Sequence, residues 1–199
     1  MTSAGRVHRT AVGSWACVDV TPRPIGAEGV TVAVAATPER PGERDRGPQA
    51  IVAQARDAAG WSVGLSADGR ATVSVGTGAG PVSLSAGDRL PAGVRVEIVA
   101  RIPGAPGGRL EIEVSRPGRP PCRAGVVLGA AVMTARGPLL CGCRELRDDR
   151  IPQQPFEGGV EDPVVVADAA APGPRAMLRE HRAVVVRADL SAVFGPSPR

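Results

Sequence analysis

Lysine, asparagine and tyrosine are missing from this 199-residue sequence, and two tryptophans and two phenylalanines make up all of its aromatic content. So few rings exclude a platform for stacking nucleic-acid bases or sugars. The 24 basic residues are therefore all arginine. A shared absence of residue types with AT-rich codons reflects nucleotide bias in a GC-rich genome, so the preference for arginine is mutational in origin. The net charge of +4 is that of a solvated, mixed surface. Its densest arginine group, Arg144, Arg147 and Arg150, is interleaved with Glu145, Asp148 and Asp149, which cancels a field aimed at phosphates. No run approaches the length of a membrane span. Arg6, His8, Arg9 and Asp19 interrupt the first twenty residues, which removes a secretory h-region. The sequence thus reads as cytoplasmic, with no nucleic-acid or membrane partner. Zinc is excluded by spacing, because Cys17, Cys122, His8 and His181 supply no paired ligands to join Cys141 and Cys143. The cysteines are expected to be reduced, buried thiols, with Cys141 and Cys143 on one face of a strand.

What is present is turn chemistry and alternation. The 26 glycines and 20 prolines are spread along the chain without a period, as short strands joined by turns require. The clearest signal is the stretch Gly60 to Gly78. Trp61, Val63 and Leu65 fall on one face of a strand, and Ala71, Val73 and Val75 on one face of the next. Asp68-Gly69 between them favours the left-handed backbone of a tight hairpin.

Further strands are predicted over Gly13–Val20, Val30–Ala36, Ile51–Gln54, Val82–Leu84, Val94–Ala100, Val126–Val132, Leu139–Cys143 and Val160–Val166. Leu110, Ile112 and Val114 alternate with Glu111 and Glu113 in another. Pro38 to Pro48 is charged and Pro-rich and predicts an exposed loop. Only Arg175 to Arg182 has a helical pattern. About ten closely spaced strands with at most one short helix near the C-terminus predict an all-β fold, a two-sheet antiparallel sandwich or barrel. The core must be built from small side chains, mostly Val, Ala and Leu.

The order of these motifs resembles the laminin G-like, concanavalin A-like jelly roll. Gly13 to Val18, Val30 to Pro38, Gln49 to Gly78, Gly108 to Val114, Pro138 to Cys143 and Phe156 to Pro163 carry the likeness. It implies a sandwich over residues 11–168, with 1–10 as an N-terminal extension and 169–199 as linker, short helix and C-terminal strand or tail. Within that fold the Gly60–Gly78 hairpin is similar to one in the N-terminal region of the N,N-dimethylformamidase large subunit family, and Val185 to Ser191 is similar to the strand that follows it there. The resemblance implies a catalytic part in a separate domain, with an iron held by tyrosines and a glutamate. A sequence without tyrosine supplies no such site.

No residue is assigned as catalytic, cofactor-binding or metal-binding, and no cofactor is expected. Glu111 and Glu113 have the i, i+2 spacing of a glycosidase pair, but their alternation with apolar residues makes them a solvated outer face. His181 lacks a Gly-x-Ser-x-Gly partner, and Ser62 and Ser66 are expected to point outward. Gly76-Thr77-Gly78-Ala79-Gly80 sits between two strands and reads as a hairpin loop, since a phosphate loop needs a helix behind it. The calcium of laminin G-like rims is implied near Glu161, Asp162, Asp148 and Asp149, where Arg147 and Arg150 neutralise the charge. The expected function is a non-catalytic interaction module for a protein partner or subunit, with glycan binding weaker. The alternative is a fragment or accessory part of an N,N-dimethylformamidase-like amide hydrolase.

Overall fold

Strands that bury one face need a second layer, and this chain supplies it with two seven-stranded antiparallel sheets. The computed structural model describes residues 7–9, 16–18, 25–43, 47–135, 137–147, 151–178, 180–187 and 191–194. The first sheet runs in the order β1 (Val7–Arg9), β2 (Ala16–Val18), β11 (Leu139–Cys141), β4 (Gln49–Arg56), β5 (Ala59–Leu65), β6 (Ala71–Thr77) and β7 (Gly80–Ala86). The second runs β10 (Arg119–Val127), β9 (Arg109–Arg116), β8 (Val96–Ile102), β3 (Val30–Pro38), β14 (Gly158–Val166) and β15 (Val184–Arg187), and β16 (Ser191–Phe194) pairs the other end of β14. β12 (Glu145–Arg147) and β13 (Ile151–Gln153) form a small separate hairpin. The only helix among the described residues, α1 (Arg175–Leu178), is four residues long. The all-β, two-sheet jelly-roll sandwich expected from the sequence is therefore what forms.

The hairpin faces are as the alternation predicts. Trp61↔Val75, Val63↔Val73 and Leu65↔Ala71 are cross-strand partners, and all six side chains are buried in one core with Ile98, Ile112 and Phe156. Cross-strand pairs of this kind are the unit of sheet stabilisation. Trp61 is thus a core residue. β3 is buried on both faces. Val30, Val32 and Val34 face the main core, while Ala33 packs into a second apolar cluster with Val99, Val164, Ala171 and Leu178. The short helix therefore has a purpose, which is to cap the outer face of the central strand. Thr31 is also buried there, and its hydroxyl donates to the Asp168 carbonyl at 2.6 Å.

Several local expectations need correction. The β5–β6 turn holds only Gly69 in the left-handed region, with φ of 80°. Gly69 N donates to Ser66 O at 2.8 Å and Ser66 N to Arg70 O at 2.9 Å, so the loop is longer than a two-residue turn. The loop after Pro38 is not wholly exposed, because Pro41 is buried and Gly42 packs on the hairpin tip. A Cβ on Gly42 would lie 2.6 Å from the Asp68 carbonyl, and one on Gly69 would lie 2.8 Å from Gly42 N. The two glycine turns touch through their backbones. The strand predicted over Val126–Val132 instead ends at Val127 and begins at Arg119, and Val132 keeps only an isolated bridge to Thr77. Pro120 and Pro121 are tolerated in it because β10 is an edge strand. Cys141 and Cys143 do not share a strand, since Gly142 turns at φ of 85° after β11. Both are buried all the same. Of the first predicted strand, Ala16–Val18 forms β2, and residues 13–15 and 19–20 lie outside the described residues.

Candidate functional site

The side chains between the core positions of the first sheet make its outer face. Strand pairing places Ser62 opposite Ser74 and Ser74 opposite Ser83, with Gly64, Thr72 and Ser85 as the adjacent rung. The result is a floor of hydroxyls two rungs deep, because small polar residues alternate with Val and Leu in β5, β6 and β7. Ser74 Oγ and Ser83 Oγ are 2.8 Å apart. Ser85 Oγ donates to Thr72 Oγ1 at 3.2 Å, and Thr72 Oγ1 donates to the Leu84 carbonyl at 3.1 Å. These bonds tie the hydroxyls to one another and to the backbone along the floor.

Above this floor is a groove of about 310 Å³, walled by Pro48, Gln49, Arg144 and Gln154 on one side and Pro81 on the other. Gly64 lets the wall approach, since a Cβ there would lie 2.0 Å from the Gln49 carbonyl. Gln49 is itself held, its amide donating to Arg40 O at 3.0 Å and its Oε1 accepting from Glu157 N at 3.2 Å. Arg144 spans to the β4–β5 turn, donating to Asp57 O at 2.8 Å and to Glu145 Oε1 at 3.3 Å. The rim is therefore positioned by hydrogen bonds reaching across the chain, and its one cation is partly neutralised. Ser62 points to this face and away from the core, as expected, but it is buried beneath the rim. Ser66 also lines the groove, and its hydroxyl donates to Asp68 at the hairpin tip.

The outer face of the second sheet is different in kind. Glu111 accepts from Arg109 Nε at 3.0 Å, and Glu113 accepts from Arg123 Nε at 3.0 Å with Arg101 3.9 Å away. Together they border a cleft of about 390 Å³. Farther along, Arg95 lies 3.0 Å from Glu161 and 3.3 Å from Glu97. Each carboxylate is tied to a guanidinium, so Glu111 and Glu113 form part of an ion-pair lattice on this face. Glu161 is likewise engaged, and Asp162 stands at φ of 42° where the β14–β3 register shifts. Asp148 and Asp149 lie outside the described residues. His181 serves its own turn: Nδ1 accepts from Ala183 N at 3.2 Å, and Nε2 is 3.9 Å from Asp168. The Gly76–Gly80 segment is a hairpin loop joining β6 to β7, closed by Thr77 Oγ1 donating to Gly80 O at 2.7 Å.

The floor residues Thr72, Ser74, Ser83 and Ser85 were not singled out by sequence reasoning. A signal for them existed in the Val-Ser-Val and Val-Ser-Leu-Ser alternation, which marks an outer face of hydroxyls as plainly as it marks the core. Arg144 and Gln154 had no local signal.

No family profile and no curated protein sequence matches this chain. Solved structures do. The heptameric SAP-like pentraxin of Limulus polyphemus superposes with a TM-score of 0.55 at 15% identity, over 96% of this chain and 94% of that one. The Ruminococcus gnavus IT-sialidase CBM40 bound to α2,3-sialyllactose gives 0.53 at 12% identity, over 74% and 80%. The LG1–3 region of the laminin α2 chain gives 0.53 at 14% identity, over 94% of this chain and 35% of that one. The chain thus spans about a third of the laminin region. At these identities the likeness is one of fold alone, the two-sheet β-sandwich that this chain shares with a pentraxin, a sialidase module and a laminin LG region.

Proposed function

We propose that the chain is a non-catalytic binding module whose partner, a protein, lies across the outer face of β4 to β7. The observation that carries this reading is the in-register floor of Ser62, Thr72, Ser74, Ser83 and Ser85 beneath a groove of about 310 Å³. A row of fixed hydroxyls offers donors and acceptors at strand spacing, which suits the backbone of an extended segment. The floor holds no aromatic ring to stack on a sugar. Support of a coarser kind comes from the fold, which the chain shares with a laminin LG region and with a sialidase module bound to α2,3-sialyllactose. The test is selection from a displayed peptide library, beside titration with α2,3-sialyllactose. Selected peptides are expected to lose binding when Ser83→Trp fills the groove, with the melting temperature unchanged because Ser83 is exposed. Saturable sialyllactose binding, or peptide binding indifferent to Ser83→Trp, overturns the reading.

A second reading makes the sandwich an accessory part of an N,N-dimethylformamidase-like amide hydrolase. It is favoured by the residues of Gly60–Gly78 and of Val185–Ser191. Co-expression with the products of adjacent reading frames, assayed for amide hydrolysis, decides it. Equal rates with and without this chain reject it.

A further inference from the structure

We infer that two copies of this chain pair antiparallel through β10, about a two-fold axis at Gly125. β10 ends the second sheet, and β9 is its only partner among the described strands. Beyond the end of β10, Leu128 N donates to Gly108 O at 2.9 Å and Gly107 N to Leu128 O at 2.8 Å. Register is continuous from Cys122↔Val114 to Val127↔Arg109. Hydrogen-bonded and non-bonded pairs alternate along an antiparallel ladder, so Cys122, Ala124 and Val126 also turn their backbone groups toward β9. The N–H and C=O groups of Arg123, Gly125 and Val127 therefore point away from the sheet, and no described strand takes them up.

This open edge is complementary to itself. With Gly125 opposite Gly125, Arg123 falls opposite the partner's Val127, and all three outward residues of each strand enter two-bond pairs. Sliding the copies two residues one way sets Val127 against the partner's Pro121, which has no N–H to give. Sliding them the other way carries Arg123 past the end of β10. The central register thus leaves no N–H or C=O of Arg123, Gly125 and Val127 unpaired, and it does not set Arg123 against the partner's Arg123. Gly125 itself puts no side chain on the axis, but Arg109 of each copy, held by Glu111 at 3.0 Å, stands beside it. The space over Gly125 is taken by Arg109, whose Nε would lie 2.7 Å from a Cβ there.

Side chains agree with the backbone. Val126 is 38% and Val127 59% exposed, two of the four large hydrophobics exposed among the described residues. In the paired register Val126 lies beside the partner's Ala124, and Val127 beside the stem of the partner's Arg123. Natural edges are blunted by proline, bulges or charge. Here Pro120, Pro121 and the bulge between Arg119 and Cys122 protect only the first part of β10. In the remainder, Arg123 is the single charged residue and is held by Glu113. A second copy, with the same open edge in the same place, is the occupant whose residues fit.

Sedimentation of the full chain from about 1 μM to about 1 mM covers the affinities of a small interface. The wild type is expected to move from the 20.3 kDa of one chain to twice that mass. Val127→Arg opposes the partner's Arg123 and is expected to weaken association at least tenfold. Val127→Glu creates an opposite-charge pair there and is expected to preserve or tighten it. Val127 also faces Arg109 of its own β9, so melting curves of both variants at the lowest concentration measure that effect within one chain and separate a lost edge from a lost fold. A wild type that stays monomeric throughout, or two variants that weaken association equally, overturns the proposal.

Discussion

Gly42 and Gly69 meet where two turns from distant parts of the chain touch. Gly42 is left-handed at φ of 67° and has the Asp68 carbonyl where a side chain would go. Gly47 is left-handed too, at φ of 64°, with open space around it. The pair separates two physical effects. Gly47→Ala should cost about 1 kcal/mol from backbone strain alone, whereas Gly42→Ala should cost about 2–3 kcal/mol because a backbone must also move. Urea midpoints at constant slope measure both, and equal losses would mean that the two turns do not support each other. Asp68, at the same tip, accepts from the Ser66 hydroxyl and lies 2.7 Å from Arg70 Nε. The Ser66 bond is the largest cause, and with Arg70 it holds the carboxyl below the ordinary 3.8 despite the opposing effect of desolvation. A depressed carboxylate stabilises the fold above its unfolded pKa and loses that contribution as pH falls through the folded value. The stability difference between wild type and Asp68→Asn should therefore be present at neutral pH and fade as the pH falls below the ordinary 3.8 and through the lower folded value. It will be small, since the group is exposed. A difference that instead grows on acidification would refute the assignment.

At the scale of elements, the β4–β5 turn is clamped by β12. Asp57 stands at φ of 54°, an unfavourable backbone for a residue with a side chain. Its N–H donates to Glu145 Oε2 at 2.7 Å and its carbonyl accepts from Arg144 at 2.8 Å. This clamp ties the three-residue β12 and Arg144 before it to the β4–β5 turn, and so fixes the Arg144 wall of the groove. Glu145→Ala should free the Asp57 amide, raising its hydrogen-exchange rate about tenfold, the effect of losing one hydrogen bond to a charged acceptor. Exchange unchanged in the variant would show that the turn holds itself. Elements of this kind were also the least legible in sequence. The β5–β6 hairpin could be read because its alternation and its Asp-Gly turn are local. β12, β13 and β16 are three or four residues each, too short for a period, and exist because a partner strand is present. Arg119–Val127 was misplaced because Pro120 and Pro121 argue against a strand unless its edge position is known.

For the molecule as a whole, the fold was legible and the groove was not, and the reason is the range of the contacts. A sandwich follows from the count and spacing of apolar alternations, which survive shifts of a few residues. The groove gathers Pro48 and Gln49, the hydroxyls of residues 62 to 85, and Arg144 and Gln154, which only the closed topology brings together. The same topology sets Cys141 deep in the core on a strand held between β2 and β4, while Cys122 sits half-covered on the outermost strand of the other sheet. An alkylating reagent meets Cys122 in the native protein but reaches Cys141 only after β11 has left its neighbours. The chain carries within itself a clock for its own opening, with one thiol to show that the reagent is present and another to time the event.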